Sequence, residues 1–402
     1  MSKKTMLSTG ASVEISARGV ARLKAGHVWV YRSDVASAKD IAAGAMVSVI
    51  DARGKFLGTA LYSSSSQIAL RMIARDPVGD LPALIGERVR AALLYRQKIV
   101  TDSNAWRAVF SEADFLPGLI VDRYDDVVSL QILTQAMDAE SVRSIVIATL
   151  VEELKPAGIV ERVDARIREL EQLRVRKPGL LWGEKSSSIV TMNAASGSAG
   201  IRFHYDGREG QKTGGFLDQR ENYAAAARYA QGEALDVFCY QGGFALHLAA
   251  KCSKVTGVDS SRPALEVAEK NAQLNGREVE WVEGNAFDLM KEYSSDKRLY
   301  DTIVLDPPAF AKSKHDLDNA MRGYKELNLR VLKMLRPGGV LVTCSCSFHV
   351  SAQAFVEMLT EAAVDAHRSV RMLERRGQSK DHPVLLGVPE TDYLKAFIVS
   401  VK

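Results

Sequence analysis

The chain has 402 residues, more than one ordinary domain holds, so two or three are expected. Hydrophobic residues make up 47% and charged residues 25%, the balance of a globular protein and not of a disordered chain. The net charge of +4 hides an asymmetry: residues 1–75 carry eleven Lys/Arg against four Asp/Glu, a balance of +7, which leaves −3 for the rest. No apolar run approaches the ~18 to 20 residues needed to span a bilayer. The N-terminal stretch has two lysines but no apolar h-region, so it does not read as a secretory signal. Four cysteines make no disulfide framework, and a cytoplasmic chain with reduced thiols is expected.

Residues 1–75 read as short strands with turns between them: ASVEIS, HVWVY, MVSVIDARGKFLGTALY and QIALRMI. The third has the form of a hairpin with Asp51, Arg53 and Gly54 at its turn. A basic module at the front of a near-neutral body points to a polyanion such as nucleic acid, or to ordinary surface charge. The cluster Asp76-Pro77-Val78-Gly79-Asp80 marks a boundary, and residues 76–192 read as an α+β module. Apolar spacing predicts helices over about 83–100 and in AESVRSIVIATLVEEL, with strand-like pieces around turns at Asp114 and Pro117-Gly118. NAASGSAGIRFHY is a linker or entry strand to residues 193–402. There short apolar strands (ALDVFCY, KVTGVDS, VEWVEGN, DTIVLDPP, GGVLVTCS) alternate with helices, which predicts an α/β fold with a parallel, doubly wound sheet. Ligands of such sheets bind at the carboxyl ends of the strands.

The first of these strands runs through Asp236, Phe238 and Cys239 into Gly242-Gly243 and a helix. The glycine pair lets the backbone approach a ligand or serves the turn alone, and it is not a GxGxxG dinucleotide fingerprint. The second strand ends in Asp259, followed by Ser260 and Ser261. An acid there can accept from both hydroxyls of a ribose, or it can cap the next helix. Gly284-Asn285-Ala286-Phe287 follows the third strand, where such folds often present a polar and an apolar residue to an adenine ring, or it is a turn alone. The fourth ends in Asp306-Pro307-Pro308, whose prolines stiffen the loop and fix the carboxylate. The fifth gives Cys344-Ser345-Cys346-Ser347; period-2 alternation puts both thiols on one face while the strand stays regular. Cys239 and Cys252 read as packing residues, and no Cys/His cluster has the spacing of a metal site.

Together these residues resemble a class I S-adenosylmethionine (SAM) dependent methyltransferase, and most closely the bacterial 23S rRNA cytosine-5 methyltransferases with an N-terminal PUA domain. Motifs along the whole chain carry the resemblance: Arg22 to Tyr31 is similar to the PUA signature, and Glu112 to Tyr124 to the central-domain hallmark. Lys212 to Arg220 looks like the stretch that folds over the cofactor, and Asp381-His382-Pro383-Val384 recurs near the end. The resemblance implies a β-rich PUA domain at 1–75, a central α+β domain at 76–192 and a Rossmann-like methyltransferase domain at 193–402. Cys346 matches the nucleophile, with Cys344 as the alternative thiol, and Asp306 faces the base. Asp259 with Ser260 would hold the ribose, and Asp236, Phe238 and Gly242 the turn near the methionine moiety. Asn285 and Ala286 would lie near adenine, while Asp218, Gln219 and Arg220 close over the amino-acid end. Tyr240, Phe310 and Phe348 are candidates to stack on a flipped base. The implied partner is 23S rRNA or a large-subunit precursor, with no membrane partner and a homodimer left open. Methylation of an exocyclic amine, which needs no cysteine, and a non-catalytic RNA-binding or assembly role are the alternatives.

Overall fold

The computed structural model describes residues 11–38, 40–194, 199–208, 215–311 and 314–402. Residues 212–214 of the Lys212–Arg220 motif and 195–198 of the linker lie outside them. The chain forms two units, each built from separate stretches. One comprises Met1–Ser188, Tyr205–Gly215 and Lys380–Thr391; the other Ile189–His204, Phe216–Ser379 and Asp392–Lys402.

In the first unit β1 (Ser12–Ile15) leads into a helix where the sequence pattern predicts only strands and turns. This helix, α1 (Ala17–Lys24), starts at Ser16, whose side chain accepts the Gly19 amide and satisfies a first-turn donor. Eight residues hold barely two turns, with buried Gly19 and half-buried Val20 and Leu23 toward the core, so its period is too short to read. Then come β2 (Trp29–Tyr31), β3 (Val35–Ser37), β4 (Met46–Ile50), β5 (Phe56–Tyr62) and β6 (Ile68–Ala74). They form a six-stranded sheet in the order β2-β6-β5-β4-β1-β3. The β4–β5 hairpin turns as expected: Asp51 accepts from the amides of Arg53 and Lys55, and Gly54 has φ +73°.

The same unit continues with α2 (Leu81–Ile99), β7 (Ala105–Phe110), β8 (Leu119–Tyr124), β9 (Val127–Ile132), α3 (Glu140–Leu154), β10 (Gly158–Glu161), α4 (Ala165–Leu170) and β11 (Gly179–Gly183). The five strands pair as β11-β10-β9-β8-β7. Leu61 and Ile73 of the front sheet share one buried cluster with Ile85, Val89, Trp106 and Leu119. Trp29 Nε1 donates to Glu112 at 3.0 Å, and Arg71 pairs with Glu171 at 2.7 Å. The boundary expected near residue 75 therefore separates two sheets that share a core. The central and late hallmark motifs meet here: fully buried Arg96 pairs with Asp114 and donates to the carbonyl of Asp381, whose carboxylate accepts the Arg107 amide at 2.8 Å.

β12 (Ser187–Met192) and β13 (Ile201–Asp206) form a two-stranded sheet. The second unit follows with α5 (Arg220–Tyr229), β14 (Glu233–Val237), α6 (Gly243–Leu248), β15 (Lys254–Asp259), α7 (Arg262–Leu274), β16 (Glu280–Glu283), α8 (Ala286–Ser295), β17 (Tyr300–Leu305), α9 (Leu317–Met334), β18 (Leu335–Ser345), α10 (Ala352–Asp365), β19 (Val370–Arg376) and β20 (Lys395–Val401). Its seven strands run β16-β15-β14-β17-β18-β20-β19. β14 to β18 are parallel, and β20 is antiparallel to both β18 and β19. Leu235, Ile303, Leu341 and Val399 bury one face under α9 and α10, and Ala234, Val304, Val342 and Ile398 the other under α5 and α6. Strand order reverses between β14 and β17, which opens a crevice at their carboxyl ends. Among the described residues no helix is long and apolar enough to cross a membrane.

Candidate active site

At the end of β14 Asp236 is fully buried. Its Oδ2 accepts the Ala245 amide at 2.8 Å, and its Oδ1 has no partner among the described residues. Burial, and then the charges of Asp306 and Asp259, raise its carboxyl to about 8. The chain then turns sharply, with Phe238 at φ +68°, Tyr240 at +49° and Gly242 at +86°. Phe238 packs on the core beneath, its amide bound to Val258 O. The space around the glycine pair supports the turn role. A Cβ at Gly243 would stand 2.5 Å from Tyr223 Cζ, and one at Gly242 2.9 Å from Trp281. Both glycines are required by the protein's own packing.

At the end of β15 the Asp259 carboxylate accepts the Tyr240 amide at 2.9 Å and the Ser261 amide at 2.9 Å. The helix cap is Ser261, which receives the Ala264 amide; Asp259 braces the β14 turn instead, and Ser260 is exposed beside it. Each carboxylate oxygen keeps a further lone pair. Asn285 caps α8 by accepting the amides of Phe287 and Asp288, so its side-chain oxygen already has a structural task, while its NH2 remains for a ligand. Ala286 is buried at that helix start.

Asp306 follows β17, and its Oδ1 accepts from Gln219 Nε2 at 2.9 Å. Gln219 is aimed by Asn222 at 2.7 Å, which in turn accepts from Arg376 at 2.8 Å. This chain brings the Asp218–Arg220 motif to the same sheet edge. Asp218 accepts the Tyr393 hydroxyl at 2.7 Å, and fully buried Arg220 lies 3.5 Å from Glu221.

The two thiols part company, because β18 ends at Ser345. Cys344 is fully buried in the core, and burial followed by the Asp306 charge pushes its thiol well up. Cys346 lies just past the strand end, half-buried, its Sγ 4.0 Å from Pro307 O and so against the Asp306 loop. The serines on either side are clamped. Tyr324 OH bonds Ser345 Oγ at 3.0 Å and Ser347 Oγ at 3.1 Å, and Ser347 Oγ accepts the Ala311 amide. Lys395 Nζ donates to Ser347 O at 2.6 Å and to Tyr393 O at 2.8 Å. Sequence reasoning misses Tyr324, Tyr393, Asn222 and Lys395; Lys395 alone leaves a signal, the one charge of the strand KAFIVSV, placed at its start. Phe310 packs on Tyr324 at 4.7 Å, Tyr240 on Phe216 at 5.1 Å, and Phe348 is exposed.

Acids at the ends of β14, β15 and β17, a turn of strained backbone at the switch point, and a thiol past β18 define a nucleoside-cofactor transferase of the doubly wound class. A SAM-dependent methyltransferase family model matches residues 181–398, and a PUA-like domain model matches 13–75. The chain is 36% identical over 388 residues to a ribosomal RNA large subunit methyltransferase I of Pseudoalteromonas translucida, covering 94% of this chain and 96% of that one. It is 37% identical over 383 residues to the protein of that name in Tolumonas auensis, covering 93% and 95%. A solved Streptococcus mutans structure assigned to the SAM-dependent methyltransferases shares the fold with a TM-score of 0.81 at 19% identity, over 97% of this chain and 100% of that one. This chain belongs to the PUA-containing SAM-dependent methyltransferases of the large-subunit rRNA methyltransferase I family.

Proposed function

We propose that the protein methylates C5 of a cytosine in 23S rRNA through a covalent adduct of Cys346 with C6. The observation that carries this is the placing of the thiol: Cys346 leaves the strand end half-exposed against the Asp306 loop, with the serines on both sides pinned. C5 belongs to an electron-poor ring and is a weak nucleophile. Addition of the thiolate to C6 turns it into an enamine carbon. Bound SAM supplies the methyl group from its sulfonium. Loss of the C5 proton and β-elimination then free the thiolate. Asp306, oriented by Gln219, can accept from the N4 amino group or hold a proton at N3 during addition.

The residues present fit the cofactor. Asp236 Oδ1, buried and without a partner among the described residues, would accept from the ammonium of the methionine end, whose positive charge favours the ionised carboxylate over the protonated form held in the free protein. Asp259 has lone pairs left for the ribose hydroxyls, the Asn285 amide and Ala286 suit adenine, and Asp218, Gln219 and Arg220 support the amino-acid end. In this division of labour residues 1–75 grip RNA, 76–192 link, and 193–402 transfer the methyl group.

A tritium-release assay on rRNA carrying C5-labelled cytidine tests the reading. The wild type and Cys344→Ala release label, while Cys346→Ala releases none and binds SAM as before. Methylated RNA that keeps its tritium would mean transfer to an exocyclic amine and overturn the C5 mechanism.

A further inference from the structure

We propose that Lys395 is the counter-ion of Cys346: its ammonium group holds the thiol as thiolate and fixes the Ser345–Ser347 turn from the β20 side. The proposal rests on Cys346 being the nucleophile and adds a positioning residue to that site.

The placement follows from strand direction. Because β20 runs antiparallel to β18, its first residue lies at the carboxyl edge of the parallel strands, and Lys395 pairs with Ser345 in the ladder. The residue is 6% exposed. A buried lysine is ordinarily paired with a carboxylate. Among the described residues Lys395 makes no ion pair; its Nζ is held by two carbonyl oxygens, one of them Ser347 O immediately after the cysteine residue. Three N–H donors on one ammonium leave a third beyond those two carbonyls.

Other groups face the pair from the neighbouring elements. Tyr324 comes from α9, with its hydroxyl on Ser345 and Ser347. Asp306 follows β17, Cys344 lies in β18 itself, and Asp392 precedes β20. None of these is a cation, and Cys344 is neutral in its buried place. Burial lowers the Lys395 ammonium to about 8, whereas the charge of Cys346 and then that of Asp392 act to keep the proton on. Lys395 is therefore charged at neutral pH and becomes neutral as the pH rises through about 8. A cation beside a thiol favours its ionised form and so raises the fraction competent to attack C6.

Alkylation of the free enzyme with iodoacetamide, followed peptide by peptide by mass spectrometry across pH 5–10, reads the thiol without any methyl transfer. Cys252, which burial raises to about 11, serves as the internal slow reference. Lys395→Gln keeps N–H donors but loses the charge, and Lys395→Arg keeps the charge. We expect the Cys346 profile to move up by about one pH unit in the Gln variant, with roughly tenfold slower labelling at neutral pH, and to stay near wild type in the Arg variant. An unchanged profile in a Gln variant that still binds SAM overturns the proposal. Should that variant not fold, acetic anhydride labelling of Lys395 in Cys346→Ser decides. Coupling is reciprocal, so the amine must lose its proton at lower pH there than in wild type, and an equal profile overturns the idea. Methyl transfer that survives Cys346→Ala would sink the nucleophile reading instead, and the alkylation profile separates the two failures.

Discussion

Asp236 holds its proton in the folded protein, raised to about 8 by burial and by Asp306 and Asp259, while an unfolded aspartate releases it near pH ~4. Across that window the native state binds the extra proton, so the contribution of Asp236 to stability is complete below it and is lost as pH rises through about 8. His247 acts in the opposite sense. Burial lowers it to about 4, so its contribution is present above the ordinary histidine value of ~6.5 and disappears as pH falls through about 4. Between pH 6.5 and 8, then, Asp236 titrates while His247 is silent. Urea unfolding over that range should show wild-type stability declining with pH relative to Asp236→Asn, which mimics the protonated acid; Lys395, which loses its proton through about 8, acts alike in both proteins. Equal slopes for both proteins would refute the assignment. At this scale the sequence puts Asp236 near a strand end, where the structure has it, and separates Cys346 from Cys344 only by resemblance. The choice between the thiols depends on the residue at which β18 stops, and strand ends leave weak marks in sequence.

The turn between β14 and α6 shows what a single element can and cannot announce. Gly242-Gly243 is legible as a strand–helix turn, because glycine is the residue that tolerates φ of +86° there. The reason for Gly243 is not legible, because Tyr223, which fills the space where its side chain would be, lies twenty residues earlier on α5. Gly243→Ala should therefore destabilise the protein by about 1–3 kcal/mol through overpacking, measured by urea unfolding without cofactor. A variant of wild-type stability that has lost only SAM affinity would favour the ligand-approach reading instead. The alternation of strands and helices in residues 193–402 is readable because buried parallel strands are short apolar runs. Helix α1 is not, and neither is the polar relay from Arg376 through Asn222 and Gln219 to Asp306, whose members are separated by up to 154 residues. Hydrogen bonds of that span leave no local period.

The basic balance of the first 75 residues also looks different once folded. Arg18 and Arg22 are both spent on Asp34, Arg71 on Glu171, and Arg32 on the carbonyls of Ser63 and Ser66. Lys24, Arg53, Lys55 and Arg75 are exposed and make no ion pair among the described residues. Among the described residues of this stretch, these are the cations left for phosphates. Because the front sheet shares its core with the central one, point substitutions test this better than deletion. Arg53→Ala with Lys55→Ala should flatten the dependence of log affinity for rRNA on log salt by ~0.7 for each phosphate no longer neutralised, with SAM binding unchanged. An identical slope would remove both residues from the RNA surface. The interleaving of the two units has its own consequence for biosynthesis. Arg96 waits for Asp381, and β18 and β19 wait for β20, so neither unit can be finished while residues 380–401 are still inside the ribosome. A nascent chain halted before residue 395 would present two unpaired strand edges, an invitation to aggregate. Lys395 and the strand that closes the sheet are thus made together, after the partners on both sides of that strand.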